Sequence, residues 1–161
     1  RMNRKYNTAE FLACVERLRR YFPGCALTAD MITGFPGETE ADQAAAVAFL
    51  EQVGFAAVHV FPYSRRPGTK ADAMPEQLSH AVKSARAHEA QRVADACKQR
   101  YLVQQVGQTL PVLFETEHDG SWVGHSDNYC LVRAAGDDLR GLVKNVKISA
   151  VSGQMLVGDL V

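Results

Sequence analysis

The chain has 161 residues, 47% apolar and 22% charged, with 18 basic side chains balanced by 18 acidic ones. That length builds one ordinary domain or two small ones, and the neutral balance excludes capture of a polyanion or a membrane by gross charge, so any such site must be a local patch. The longest apolar run, 53–61, is about half a membrane span, no charged-then-apolar leader opens the chain, and a cytoplasmic protein without a membrane partner is expected.

In chain order, Thr8 reads as an N-cap with Glu10 in the first turn, and Phe11, Val15, Leu18 and Phe22 recur at helical spacing as one buried stripe. Pro23-Gly24 stops that helix. Cys25 to Thr33 reads as a strand closed by Gly34-Phe35-Pro36-Gly37. Thr39 then caps a second helix with Val47, Leu50 and Val53 inward and Gly54 at its C-cap. Phe55 to Tyr63 is nearly continuously apolar, which suits a parallel strand covered on both faces. Helix, strand, helix, strand is the α/β pattern. A loop from Ser64 to Pro75 carries Arg65, Arg66 and Lys70 around Pro67-Gly68. A long helix is expected from Ser79 to Val103, with a thin stripe of Val82, Ala85, Val93, Ala96 and Tyr101. Glu89/Arg92 and Asp95/Lys98 lie one turn apart on it.

After Gln104 the period changes. Leu110, Val112 and Phe114 alternate with polar residues, and His118-Asp119-Gly120 makes a turn. Strands follow near Trp122, over Tyr129–Ala134 and Leu142–Val151, and up to Val161. Five short strands with Gly/Asp turns indicate a small closed β-barrel. Two domains follow, 1–103 and 104–161. Cys14, Cys25, Cys97 and Cys130 are widely spread, without the CxxC or CxxxCxxC spacing that lets neighbouring thiolates reach one metal. Structural thiols are expected, with no metal ligand among them.

Three stretches stand out together: Arg1-Met2-Asn3-Arg4-Lys5-Tyr6, Thr28 to Thr39 (TADMITGFPGET), and Phe61 to Thr69 (FPYSRRPGT). In that order and spacing they resemble the later half of the radical-SAM β/α barrel of tRNA methylthiotransferases. The terminal strands resemble the TRAM domain of those enzymes, an OB-like RNA-binding module. The resemblance implies a partial radical-SAM α/β barrel followed by an all-β TRAM barrel. It implies a parent enzyme that adds a methylthio group to an adenosine beside the anticodon, using S-adenosylmethionine and two [4Fe-4S] clusters. The loop Phe61 to Arg66 and the segment Gly124-His125-Ser126-Asp127-Asn128-Tyr129 look more like the threonylcarbamoyladenosine branch. The isopentenyladenosine branch, the alternative, usually shows Tyr-Ser-Pro-Arg and Gly-Arg-Thr there. The family's cluster-binding cysteines do not occur among these residues, so the resemblance implies no catalytic residue, no bound cofactor and no activity for this chain alone.

Parallel barrels meet ligands at the carboxyl ends of their strands. By resemblance, Ile32, Gly34, Phe61 and Tyr63 flank the adenine of S-adenosylmethionine, with Gly34 and Gly37 free of a Cβ that would hold a ligand off. Asp30 either meets the ribose or methionyl part or pairs with Arg4, and Arg4 is itself able to hold a carboxylate bidentately. The plainer reading of the glycine turn is a bend before a helix; a P-loop is excluded by Glu38 where a lysine is needed. For RNA, Arg65, Arg66 and Lys70 are candidates to track the phosphates of an anticodon stem-loop. Arg133, Lys144 and Lys147 are candidates on the barrel, the last two on opposite faces by strand alternation. Tyr129 and Trp122 are base-stacking candidates, although a lone Trp in so small a barrel suits its core. A standalone RNA-binding module without catalysis is the competing function, and strand edges left open invite self-association.

Overall fold

A computed structural model describes residues 1–161, which divide into two compact units, Arg1–Cys97 and Lys98–Val161. The first holds α1 (Thr8–Tyr21), β1 (Thr28–Thr33), α2 (Glu40–Val53), β2 (Ala57–Pro62) and the larger part of α3 (His80–Gln105). The N-cap of α1 is Asn7 rather than Thr8: its side chain accepts from the Glu10 N–H while the Glu10 carboxylate accepts from the Asn7 N–H, a reciprocal capping box. The expected α1 stripe holds only at its start. Val15 is buried and Phe11 half-buried, but Leu18 and Phe22 are exposed, because the last turn runs past the core before Pro23-Gly24. Arg19, in that last turn, instead donates to the Val53 and Gly54 carbonyls, which the end of α2 leaves without helical partners. The capping of α2 is as expected. Thr39 and Asp42 form a second capping box, and Gly54 is left-handed with its N–H on the Leu50 carbonyl.

β1 and β2 pair in parallel, Asp30 opposite His59 and Ile32 opposite Phe61. Ala29, Met31, Val58 and Val60 pack with Val15, Leu50, Val53, Phe55, Ala90 and Ala94. The opposite face, with Asp30, Ile32, His59 and Phe61, is exposed. A strand expected to be covered on both faces is therefore covered on one by the residues of this chain. The buried stripe of α3 is Ala87, Ala90, Ala94, Cys97, Tyr101 and Gln105. This corrects the expected stripe: Ala85 and Ala96 are exposed, because small residues rather than the scattered valines make the close approach. The anticipated charge pairs on α3 are replaced too, since the Glu89 carboxylate accepts from Gln43 and that of Asp95 from Gln91.

The second unit is a closed barrel in the order β3-β4-β5-β7-β6: β3 (Thr109–His118), β4 (Ser121–Ser126), β5 (Leu131–Ala134), β6 (Val143–Ser152) and β7 (Met155–Leu160). Asp119 and Gly120 (φ 50° and 72°) make the β3–β4 turn with two left-handed residues, the geometry that matches strand twist. Closure depends on two bulges, at Phe114/Thr116 and Ile148/Ala150. A glycine sits opposite each, Gly124 facing Phe114 and Gly158 facing Ile148. A Cβ on either would run into backbone, the Leu113 carbonyl for Gly124 and the Lys147 carbonyl for Gly158. The interior is filled by Leu110, Val112, Phe114, Trp122, Val132, Val146, Ile148 and Leu156, so Trp122 is core.

Candidate functional site

At the carboxyl ends of β1 and β2 lies a cleft of about 500 Å³ lined by Ile32, Phe61, Pro62, Tyr63, Ser64, Arg66, Thr69 and Ala71. The Tyr63 N–H donates to the Thr33 carbonyl (2.8 Å), carrying the β1–β2 ladder one step beyond the strands. Its ring meets Phe35 edge-on (5.3 Å, 69°), and the Lys83 ammonium lies 4.9 Å from the ring centroid. Three neighbours thus hold one aromatic face at the strand ends. Thr33 Oγ1 and Tyr63 OH are buried without a hydrogen-bond partner, a feature that native interiors tolerate rarely.

The glycine turn is held from within. The Glu38 carboxylate accepts from the Gly34 N–H (2.9 and 3.0 Å) and, at 3.4 Å, from Phe35. Arg86 of α3 donates to that carboxylate (2.7 Å) and to the Glu38 carbonyl (2.9 Å). Gly34 and Gly37 are left-handed (φ 70° and 72°). Their missing Cβ atoms, expected to make room for a ligand, make room for protein instead. Lys83 Cγ lies 2.6 Å from where a Gly34 Cβ would be, and the Arg1 guanidinium occupies the corresponding space at Gly37. Lys83 and Arg86 escaped notice in the sequence because no local pattern ties residues on α3 to this turn, and Glu38 was read only as a bar to a P-loop.

Of the residues assigned by resemblance to S-adenosylmethionine, Ile32, Phe61 and Tyr63 meet at the cleft and Gly34 shapes the turn behind it. Asp30 lies on the same exposed strand face, beside His59, whose ring stacks on Phe61 (6.5 Å between centroids, 26°). His59 was missed because it sits inside an apolar run; its period-2 kinship with Phe61 was the available signal. Arg4 is exposed and makes no ion pair with Asp30. On the following loop Arg65 is pinned to Asp72 (2.8 Å to the carboxylate, 2.9 Å to the carbonyl), Arg66 lines the cleft and Lys70 is exposed. On the barrel, Arg133, Lys144 and Lys147 are exposed, and Lys147 donates to the Gly107 carbonyl (2.5 Å).

The walls of the cleft are mostly apolar and fit a flat, apolar face such as that of a nucleobase; the two unpartnered hydroxyls are buried and do not open into it. A metal cluster does not fit: no group of three or more His, Cys, Asp or Glu side chains is placed to hold an ion, and none of the four cysteines is in a disulfide.

No protein-family model matches the chain. Curated proteins do. The threonylcarbamoyladenosine tRNA methylthiotransferase MtaB of Bacillus subtilis is 37% identical over 92% of the chain, and that of Chlamydia pneumoniae 35% over 100%. The tRNA-2-methylthio-N(6)-dimethylallyladenosine synthase of Maricaulis maris is 40% identical over 99%. The chain belongs to the tRNA methylthiotransferase family, over the part of those proteins that it spans. It covers 34%, 39% and 36% of these three relatives, about a third of their length. Methylthiotransferases of both types match it at nearly equal identity. No helix is long and apolar enough to cross a membrane.

Proposed function

We propose that this chain is part of a cytoplasmic radical-SAM enzyme that adds a methylthio group to an adenosine of tRNA, and that the cleft at β1 and β2 takes the adenosyl part of S-adenosylmethionine. The observation that carries the reading is the immobilised Tyr63 ring beside Ile32 and Phe61, at the strand ends of a chain whose relatives act on tRNA. Ile32, Phe61 and Tyr63 would sandwich the base and exclude water. Asp30, on the adjoining face, would accept from ribose hydroxyls. The cofactor supplies the radical chemistry when bound; the protein's part here is to bind and orient. No step passes through the cysteines of this chain.

Within the family, we assign the threonylcarbamoyladenosine branch. The Phe61-to-Arg66 loop and the Gly124-to-Tyr129 segment support it, and His59 on the exposed strand face adds to it. A histidine on the exposed strand face suits a base substituent that carries a hydroxyl and a carboxylate better than an all-carbon one.

Two titrations test the reading. Calorimetry of S-adenosylhomocysteine with the whole enzyme of which this chain is proposed to be part should give a binding heat that Phe61→Ala abolishes; an unchanged heat in that variant would remove the cleft assignment. A labelled anticodon stem-loop should bind more weakly as salt rises from about 50 to 200 mM, through Arg66, Lys70 and the barrel lysines. Affinity indifferent to salt would exclude a phosphate-led interface.

A further inference from the structure

The barrel presents a second concavity that the cleft at β1 and β2 does not use. It measures about 580 Å³ and is lined by Pro111, Leu113, Glu115, His125, Ser126, Asp127, Tyr129 and Val143. Leu113 of β3 is paired with Val143 of β6 on one side and His125 of β4 on the other, so the three stand in a row on the outer face. Leu113 is 43% exposed and Val143 62%. An apolar row of this kind on the outside of a small barrel is not needed by its core.

At the end of the row stands Tyr129, 86% exposed and in the left-handed region (φ 60°). That conformation is uncommon and strained for a bulky residue, so something must hold it. The Tyr129 N–H donates to the Ser126 carbonyl (2.9 Å), and Ser126 and Cys130 bond reciprocally through backbone and hydroxyl (3.0–3.1 Å). Asn128, which pairs with the Ser126 hydroxyl (2.6 Å), donates to Tyr101 OH and Gln105 Oε1 (both 3.1 Å). Ser126, Asn128 and Cys130 around Tyr129 are thus anchored, while the ring itself stands largely in solvent. The chain is strained to display it.

We propose that this face binds one unpaired nucleobase of an RNA, with guanine preferred, stacked on Tyr129 over Leu113 and Val143. The polar lining supports a base rather than an aliphatic ligand. Glu115 and Asp127 offer only acceptors. Glu115 Oε2 lies 2.6 Å from His125 Nδ1, which leaves its other oxygen without a bond. Guanine alone among the bases carries two donors side by side on its pairing edge, the complement of a carboxylate, and that edge is open only where the base is unpaired. Lys147 follows Val143 by four residues on the same outer row, about 13 Å away, where the phosphate of a neighbouring nucleotide would pass. The proposal rests on RNA being the partner, as in the proposed function, but not on the adenosyl cleft.

The test is a 15N–1H titration of the whole chain with hexauridylate and with hexauridylate carrying one central guanosine. Amide shifts centred on Leu113, Glu115, His125, Tyr129 and Val143, larger for the guanosine oligonucleotide, are expected. Tyr129→Asn, which tolerates the left-handed backbone, should weaken binding about tenfold or more, and Tyr129→Phe should keep it. Glu115→Gln should reduce the preference for guanosine, read as the ratio of the two oligonucleotides' affinities. Shifts elsewhere, or a Tyr129→Asn variant that binds as the native chain does, overturn this site and leave the RNA reading intact. No shift with either oligonucleotide, together with no binding of the anticodon stem-loop, overturns both. Shifts of the same residues that grow with protein concentration alone would identify a second copy of the chain as the occupant and likewise overturn it.

Discussion

Replacing Glu38 with alanine perturbs the point on which the turn behind the cleft depends. The Glu38 and Arg86 side chains are only 14% and 11% exposed, and the carboxylate serves Gly34, Phe35 and Arg86 at once. Without it the Gly34 N–H loses its acceptor, and a nearly buried guanidinium keeps only a carbonyl. Breaking one partner of a buried, hydrogen-bonded pair costs about 3–5 kcal/mol, and the orphaned N–H puts Glu38→Ala at no less than about 3. Arg86→Met should cost less, about 2 kcal/mol, because the carboxylate retains its backbone donors. The double variant should therefore be less destabilised than the sum of the two singles. The two units supply separate reporters. The chain's single tryptophan is Trp122 in the barrel, whereas α1, α2 and most of α3 are in the first unit. In urea, Glu38→Ala should lower the midpoint of the helical circular-dichroism signal by about 1 M or more and leave that of Trp122 fluorescence in place. A dichroism midpoint that stays within error of the native chain would refute the claim that Glu38 holds the turn.

Three further outcomes are expected. Ala90→Leu overfills the tightest point of α3, where no surface is exposed, and should cost about 1–3 kcal/mol by the same denaturation; Ala85→Leu and Ala96→Leu, on the solvated side, should be near neutral. Gly124→Ala should abolish the folded barrel, seen as red-shifted Trp122 emission, because its Cβ would strike the Leu113 carbonyl. Gly120→Ala, with open space at its turn, should cost only the left-handed strain of about 1–2 kcal/mol. Asp42 is held below the ordinary carboxylate range by the Thr39 N–H first and the Thr39 hydroxyl second. A depressed folded value means the cap's contribution is fully present above the unfolded carboxyl pKa of about 3.9 and is lost as pH falls through the lower folded one. Melting temperatures followed down through that range should show Asp42→Asn less pH-dependent than the native chain.

Residues that announce themselves through local chemistry were legible in the sequence. Thr39 and Gly54 bracket α2 as a cap pair does, Asp119-Gly120 forms the turn its dipeptide dictates, and Leu110, Val112 and Phe114 alternate into the barrel. Ile32, Phe61 and Tyr63 were legible through resemblance and do meet. What stayed hidden lacks a local signal. Ala87, Ala90 and Ala94 pack α3 through smallness, which no apolar periodicity marks strongly. Asn7 outcompeted Thr8 as a cap because its side-chain oxygen reaches the Glu10 N–H, one position earlier than expected. Gly124 and Gly158 matter only because bulges on partner strands bring carbonyls against them.

The glycine turn shows how a motif's residues divide their labour. Gly34 and Gly37 read as space for a ligand, yet Lys83 and Arg1 fill that space, and Glu38 faces its own backbone. Their demand is conformational: a left-handed bend tight enough to bring Lys83 against Tyr63 and lock the ring. Under the proposed function, recognition then falls to the exposed side chains Asp30, Ile32, His59 and Phe61. The division implies different failures. Gly34→Ala should release the turn and loosen Tyr63, lowering affinity for any nucleoside and lowering stability with it. His59→Phe alters no glycine, cap or buried contact, so in an enzyme of the threonylcarbamoyladenosine branch it should change which modified adenosine is accepted and leave melting unchanged. Should His59→Phe destabilise the fold as much as Gly34→Ala does, the exposed face would be structural, and substrate recognition would have to be sought elsewhere.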